Sequence, residues 1–149
     1  MQGKDKQNTF LSLGELLERA ARQCRAAERE LRSFFDGVPE PEVLAYREMA
    51  ERECELAEML KTFARRAPET TLNTRVQFTL DCPERPAPQS AHGAAQQMVE
   101  FNEDLVESLQ EQSRTMAPDS VAESLETLWR DTEALARQVS MTFLTMQDA

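Results

Sequence analysis

The chain reads as four amphipathic stretches separated by breaks. From Leu13 onward, apolar or small residues recur at Leu13, Leu17, Ala20, Cys24, Ala27, Leu31 and Phe34. These alternating steps of four and three lay one stripe along a helix packed lengthwise on others. Ser12 and Glu15 have the spacing of a capping box, with Leu11 and Leu16 placed as a hydrophobic staple, so a helix is predicted over about 13–36. Residues 1–9 are polar and expected to fray. Gly37, Pro39 and Pro41 end the helix and reverse the chain, because glycine takes a left-handed C′ position and proline cannot extend the ladder. A second helix is predicted over about 42–66, with Pro68 beyond it as a stop. Its seam reads Val43, Tyr46, Ala50, Glu53, Ala57, Leu60 and Ala64, flanked by Met49, Leu56 and Phe63.

Residues 67–91 carry four prolines and a short alternating run, Val76, Phe78 and Leu80, which predicts an extended piece lying on the bundle. A helix of roughly 25 residues is about 38 Å long, and the same number of residues, partly extended, reaches farther. Helices that are merely consecutive neighbours need only about 2 to 8 residues between them. The segment is therefore expected to cross the whole bundle. A third helix is predicted over about 93–116, with Ala95, Met98, Asn102, Leu105, Leu109 and Met116 on its seam. A second capping box, Ser120 with Glu123, introduces a fourth helix over about 121–146. Its seam is Val121, Leu125, Leu128, Thr132, Leu135, Val139, Thr142 and Met146, widened by Trp129, Ala136 and Phe143. The expectation is one all-α domain over 1–149, a four-helix bundle of two antiparallel hairpins joined by a long crossover, which is the ferritin-like topology.

Composition agrees with helix and narrows the setting. Leu, Ala, Glu and Arg dominate, isoleucine is absent, and there are only 4 glycines. No apolar run is long enough to span a membrane and the first residues lack an apolar signal core, so the chain is expected in the cytoplasm, without a membrane partner. Three cysteines, Cys24, Cys54 and Cys82, without CxxC spacing argue against both a disulfide framework and a thiolate zinc site. A net charge of −10 argues against nucleic acid. The charge is uneven: residues 1–66 carry 12 basic and 13 acidic groups, and residues 92–149 carry 3 and 11. Arg19, Arg22, Arg25, Arg29 and Arg32 form a basic stripe on the first helix. It reads as a solvated face with ion pairs one turn apart, and also as a surface able to meet the acidic third and fourth helices of a second copy.

In an antiparallel hairpin turning near residue 39, Cys24 lies level with Glu53 or Cys54. In the second hairpin, Asn102 or Glu103 lies level with Asp131 or Thr132. Each hairpin thus carries its polar seam residue at mid-length. In SLGELLERAARQCRAAERELRSFF and AERECELAEMLKTF, and more weakly in MVEFNEDLVESL and LWRDTEALARQV, the chain resembles the rubrerythrin-type branch of the ferritin-like superfamily. That resemblance implies a Glu on the first helix of each hairpin and an ExxH on the second, together holding a di-iron centre. On that resemblance, the first Glu falls at Cys24, the first ExxH on Glu53 to Leu56, the second Glu at Asn102 and the second ExxH on Asp131 to Ala134. Both histidines are missing, and His92, the only one in the chain, falls at the end of the crossover and reads as a loop residue. Oxidase, peroxidase and iron-storage activity do not carry over.

Glu53 and Asp131 remain as vestigial metal ligands, too few by themselves for an ordinary site. The alternative reading is a buried polar layer with no cofactor, in which Glu53 is satisfied by Asn102, Thr132, Tyr46 or Arg130, because an unpaired buried charge costs several kcal/mol. Cys24 and Cys54 can be read as a redox pair or as inert core thiols, and Cys82 as an exposed loop thiol. Met141, Phe143 and Met146 can frame an adaptable apolar end or be plain core. The functional expectation is a non-catalytic ferritin-like protein acting through its surface, as a homodimer or on another protein partner. The alternative is a divergent metal or redox protein holding a single divalent ion through Glu53, Asp131 and Glu103 or Glu28, with Cys24 as an unusual ligand.

Overall fold

The structure is a computed structural model and describes residues 10–77, 86–115 and 119–147. In chain order the elements are β1 (Phe10–Ser12), α1 (Leu13–Arg32), α2 (Glu40–Arg66), α3 (Glu69–Leu72), β2 (Arg75–Gln77), α4 (Ala91–Thr115) and α5 (Asp119–Gln147). The protein is mostly helical, as expected. α1 packs on α2 and α4, and α5 packs on the same two helices, so α1 and α5 face each other across one diagonal.

Two apolar clusters fix the direction of each helix. One joins the start of α1 (Leu13, Leu17) to the end of α2 (Leu60), the end of α4 (Leu109) and the start of α5 (Leu125). The other joins Leu31 of α1 to Tyr46 of α2, Ala91 of α4 and Phe143 of α5, which are the opposite ends. Neighbouring helices are therefore antiparallel. α2 finishes at the first cluster and α4 begins at the second, so the chain between them connects opposite ends of the bundle.

The local chemistry explains most boundaries. The Ser12 hydroxyl accepts from the Glu15 N–H at 3.1 Å while the Glu15 carboxylate accepts from the Ser12 N–H at 2.9 Å, completing the capping box. After α1, Gly37 takes φ +88°, the left-handed conformation that glycine accepts at least cost. α2 begins at Glu40 rather than 42, because Pro41 sits in the first turn, where a missing N–H costs nothing. α4 also starts earlier than expected: the Ser90 hydroxyl accepts from the Gly93 N–H at 3.0 Å and caps it. His92 therefore lies in the first turn of α4, not in a loop, and its ring stands 5.2 Å from that of Phe143. α5 starts at Asp119; the side chain of Ser120 and all of Met116, Phe78, Leu80 and Cys82 lie outside the described residues.

Two expectations need correction. Residues 67–91 are not simply extended: the one-turn α3 precedes β2, which pairs antiparallel with β1 in the register Leu11 to Val76. Val76 is fully buried in the first cluster, and the Leu13 N–H donates to the Thr74 carbonyl at 2.8 Å, so this small ribbon closes one end of the bundle. On α5 the inward row after Thr132 is Ala136, Val139 and Phe143, while Leu135, Thr142 and Met146 are half-buried. A straight helix of 3.6 residues per turn drifts from a strict seven-residue repeat, and the extra step of four takes up that drift.

Candidate functional site

Between the two apolar clusters lies a polar layer. α2 places Glu53 there at 0% exposure, α4 places Asn102 at 1% and α5 places Thr132 at 0%; α1 supplies the buried thiol of Cys24. A single turn on each helix thus brings one polar group inward at the same level, as the hairpin registers require.

The bonding in this layer is uneven. Asn102 Nδ2 donates to Glu53 Oε1 at 2.8 Å. The Thr132 hydroxyl donates to the Leu128 carbonyl of its own helix at 2.8 Å and is spent there. Glu53 Oε2 and Asn102 Oδ1 are buried with no hydrogen-bond partner among the described residues. The Cys24 thiol faces Glu53 as a weak S–H donor. Burial pushes the Glu53 carboxyl up to about 7, against the smaller lowering effects of Asn102 and Cys24. Burial first, and the Glu53 carboxyl second, raise the Cys24 thiol well above its ordinary range, so it is an inert thiol.

The other candidate residues stand outside this layer. Asp131 and Glu103 are exposed; at each level the neighbouring residue, Thr132 or Asn102, takes the inward position. Arg130 stacks on Trp129 and pairs with Glu126 at 2.7 Å, so it does not serve Glu53. Tyr46 is buried in the second apolar cluster. Cys54 is half-buried and accepts from Arg25 Nη1 at 2.8 Å, on the α1 side of α2. Glu28 is held by Arg32 at 2.9 Å and Arg25 at 3.6 Å. Glu53 and Asp131 are thus not brought together, and among the described residues no group of three or more His, Cys, Asp or Glu is placed to hold a metal ion. Cys24 and Cys54 are both free, one turned inward to Glu53 and the other toward Arg25.

Sequence reasoning found Glu53, Asn102 and Cys24 but not the Arg25–Cys54 contact, which the hairpin register, with these two residues at one height, could have indicated. On the exterior, α4 exposes Glu103, Asp104, Glu107 and Glu111, with Arg114 as its one arginine and no lysine. Its neighbour α1 exposes Arg19, Arg22, Arg29 and Arg32, of which Arg22 and Arg29 form no ion pair among the described residues. No described helix is long and apolar enough to cross a membrane. Comparison of the chain with protein-family models, curated proteins and solved structures returns no match in any of the three.

Proposed function

We propose that this protein is a non-catalytic, ferritin-like four-helix bundle of the rubrerythrin type, working in the cytoplasm through its surface as a homodimer. The order of helices around the bundle, and a connection between opposite ends after α2, support the ferritin-like reading. The non-catalytic reading is supported by the ligand positions: where the family would place metal ligands, Cys24, Asn102, Leu56 and Ala134 offer one thiol, one amide and two aliphatic side chains, and Asp131 is exposed, which leaves Glu53 as the one buried carboxyl at those positions.

The dimer rests on one observation, a row of exposed arginines on α1, interleaved with Glu15, Glu18 and Glu30, beside a row of exposed carboxylates on the adjacent antiparallel α4. A two-fold axis parallel to the helices sets α1 of one copy against α4 of the other, and the same pairing recurs on the far side of the axis. The arginines of each α1 then meet Glu103, Asp104 and Glu107 of the partner's α4. Such self-complementary charge sets partner choice and orientation more than raw affinity.

Sedimentation or light scattering tests this directly. A dimer at low salt that dissociates toward about 1 M salt is expected. Arg22→Glu with Arg29→Glu should break it, as should Glu103→Arg with Glu107→Arg, and mixing the two variants should restore association. A monomer at every salt, or a dimer indifferent to molar salt, would overturn the charge-paired dimer. Stoichiometric uptake of Fe(II), Mn(II) or Zn(II) that is lost on Glu53→Ala would overturn the non-catalytic reading.

A further inference from the structure

The two unpartnered acceptors of the polar layer belong to the same two side chains that already share a hydrogen bond. Asn102 Nδ2 donates to Glu53 Oε1 at 2.8 Å, while Oε2 of the same carboxyl and Oδ1 of the same amide have no partner among the described residues. At 0% and 1% exposure, neither side chain is reached by bulk water. Both are acceptors on planar groups already joined by one hydrogen bond, so a proton on Oε2 would supply the donor that Asn102 Oδ1 lacks.

We infer that Glu53 is kept as the neutral carboxylic acid, its Oε2–H donating to Asn102 Oδ1 while Asn102 Nδ2 donates to Oε1, so that one proton closes a reciprocal acid–amide pair between α2 and α4 and its loss at raised pH loosens that layer. The proton balance is simple. The closed pair is neutral, and release of the proton to solvent leaves one negative charge on Glu53 facing the lone pairs of Asn102 Oδ1.

Burial and the nearest like charge favour the neutral form. α1 contributes the Cys24 thiol, whose hydrogen bond to Glu53 favours ionisation as that of Asn102 does, and the Glu28 carboxylate, whose charge opposes it. α4 contributes Asn102 and α5 contributes Thr132, both uncharged, and the Thr132 hydroxyl proton is committed to Leu128. On α2 itself, Arg52 is paired with Glu55 at 2.9 Å. No basic side chain among the described residues forms an ion pair with Glu53. Burial is the largest influence on the carboxyl, and it raises its affinity for the proton. The inference concerns the interior and is independent of the dimer.

Infrared difference spectra of wild type minus Glu53→Gln, at about pH 6 where ordinary carboxyls are ionised, should show a protonated-carboxyl C=O band that is gone at about pH 9. In the same pair of proteins, the folded-to-unfolded ratio of wild type relative to Glu53→Gln should fall by about two orders of magnitude between about pH 4 and pH 9. If Glu53→Gln does not fold, carbon-13 NMR of the Glu53 carboxyl in the unaltered protein reads the same titration. Absence of the band at about pH 6, a ratio flat with pH, or a carboxyl titrating in the ordinary range would overturn the acid–amide pair. A carboxyl still protonated at about pH 9 would overturn the pH-dependent loosening.

Discussion

Glu53 is where a single side chain carries the most consequence. Its one strong hydrogen bond comes from Asn102, so Asn102→Ala should strand a buried carboxyl and cost about 2–3 kcal/mol in urea denaturation. The pH dependence follows from the direction of the shift. The folded-state carboxyl sits at about 7, above its ordinary 4.5, so the stability it lends is fully present below the unfolded value. That stability is lost as pH rises through the folded one. The span corresponds to roughly 3 kcal/mol, and Glu53→Gln should remove this slope from the stability curve. The two described thiols should also separate kinetically. Cys24 is sealed in the core and raised by burial, while Cys54 is half-buried beside Arg25. A thiol reagent should therefore label Cys54 first in the native protein, and Cys24 only on unfolding.

The helices themselves are specified by short-range chemistry at their ends. Ser12 supplies the hydroxyl of a complete capping box, and Ser12→Ala should cost about 1 kcal/mol by thermal or chemical melting. The Glu15 carboxyl is held below its ordinary range by the Ser12 N–H and hydroxyl. Its share is therefore present above the unfolded value and fades as pH falls through the lowered one, opposite in sign to Glu53. At the α1–α2 turn nothing lies within 4 Å of a Cβ built on Gly37, so a side chain there meets no obstacle. The penalty of Gly37→Ala is the left-handed backbone alone, about 1 kcal/mol. A larger loss on melting would show that the turn packs more tightly than the structure indicates.

For the molecule as a whole, two apolar clusters with a polar layer between them hold four helices in one register. Leu56, fully buried in the first cluster, should cost about 2–5 kcal/mol on truncation to Ala. Replacing both Glu53 and Asn102 by Leu removes both members of the hydrogen-bonded pair rather than stranding one, and should be near neutral or stabilising. If so, the layer serves register rather than strength, and the double variant should show broader NMR lines or altered helix pairing at equal stability. The exposed acidic row of α4 and the arginines of α1 lie outside this core, so charge reversal there should alter association while leaving the melting of the monomer nearly unchanged.

Much of this architecture is readable from periodicity. Steps of three and four mark the inward stripes because a helix returns to the same face every 3.6 residues, and Glu53, Asn102 and Cys24 stand on those stripes where polar residues are out of place. Prolines, serines and one glycine punctuate the ends for equally local reasons. Adjacent residues are harder to separate: Asn102 and Glu103, or Thr132 and Asp131, differ by one 100° step, and packing against the neighbouring helices turned Asn102 and Thr132 inward. β1 and its pairing with β2 were equally illegible, since Phe10–Ser12 shows no strand pattern and meets Arg75–Gln77 only once the end of the bundle has brought them together; the extended piece at Val76 was legible from its alternation. The vacant corners of the Glu53–Asn102 pair belong to the same class. Residue types along a chain reveal donors and acceptors, but whether one of them goes unmatched depends on distances between helices that no local interaction sets.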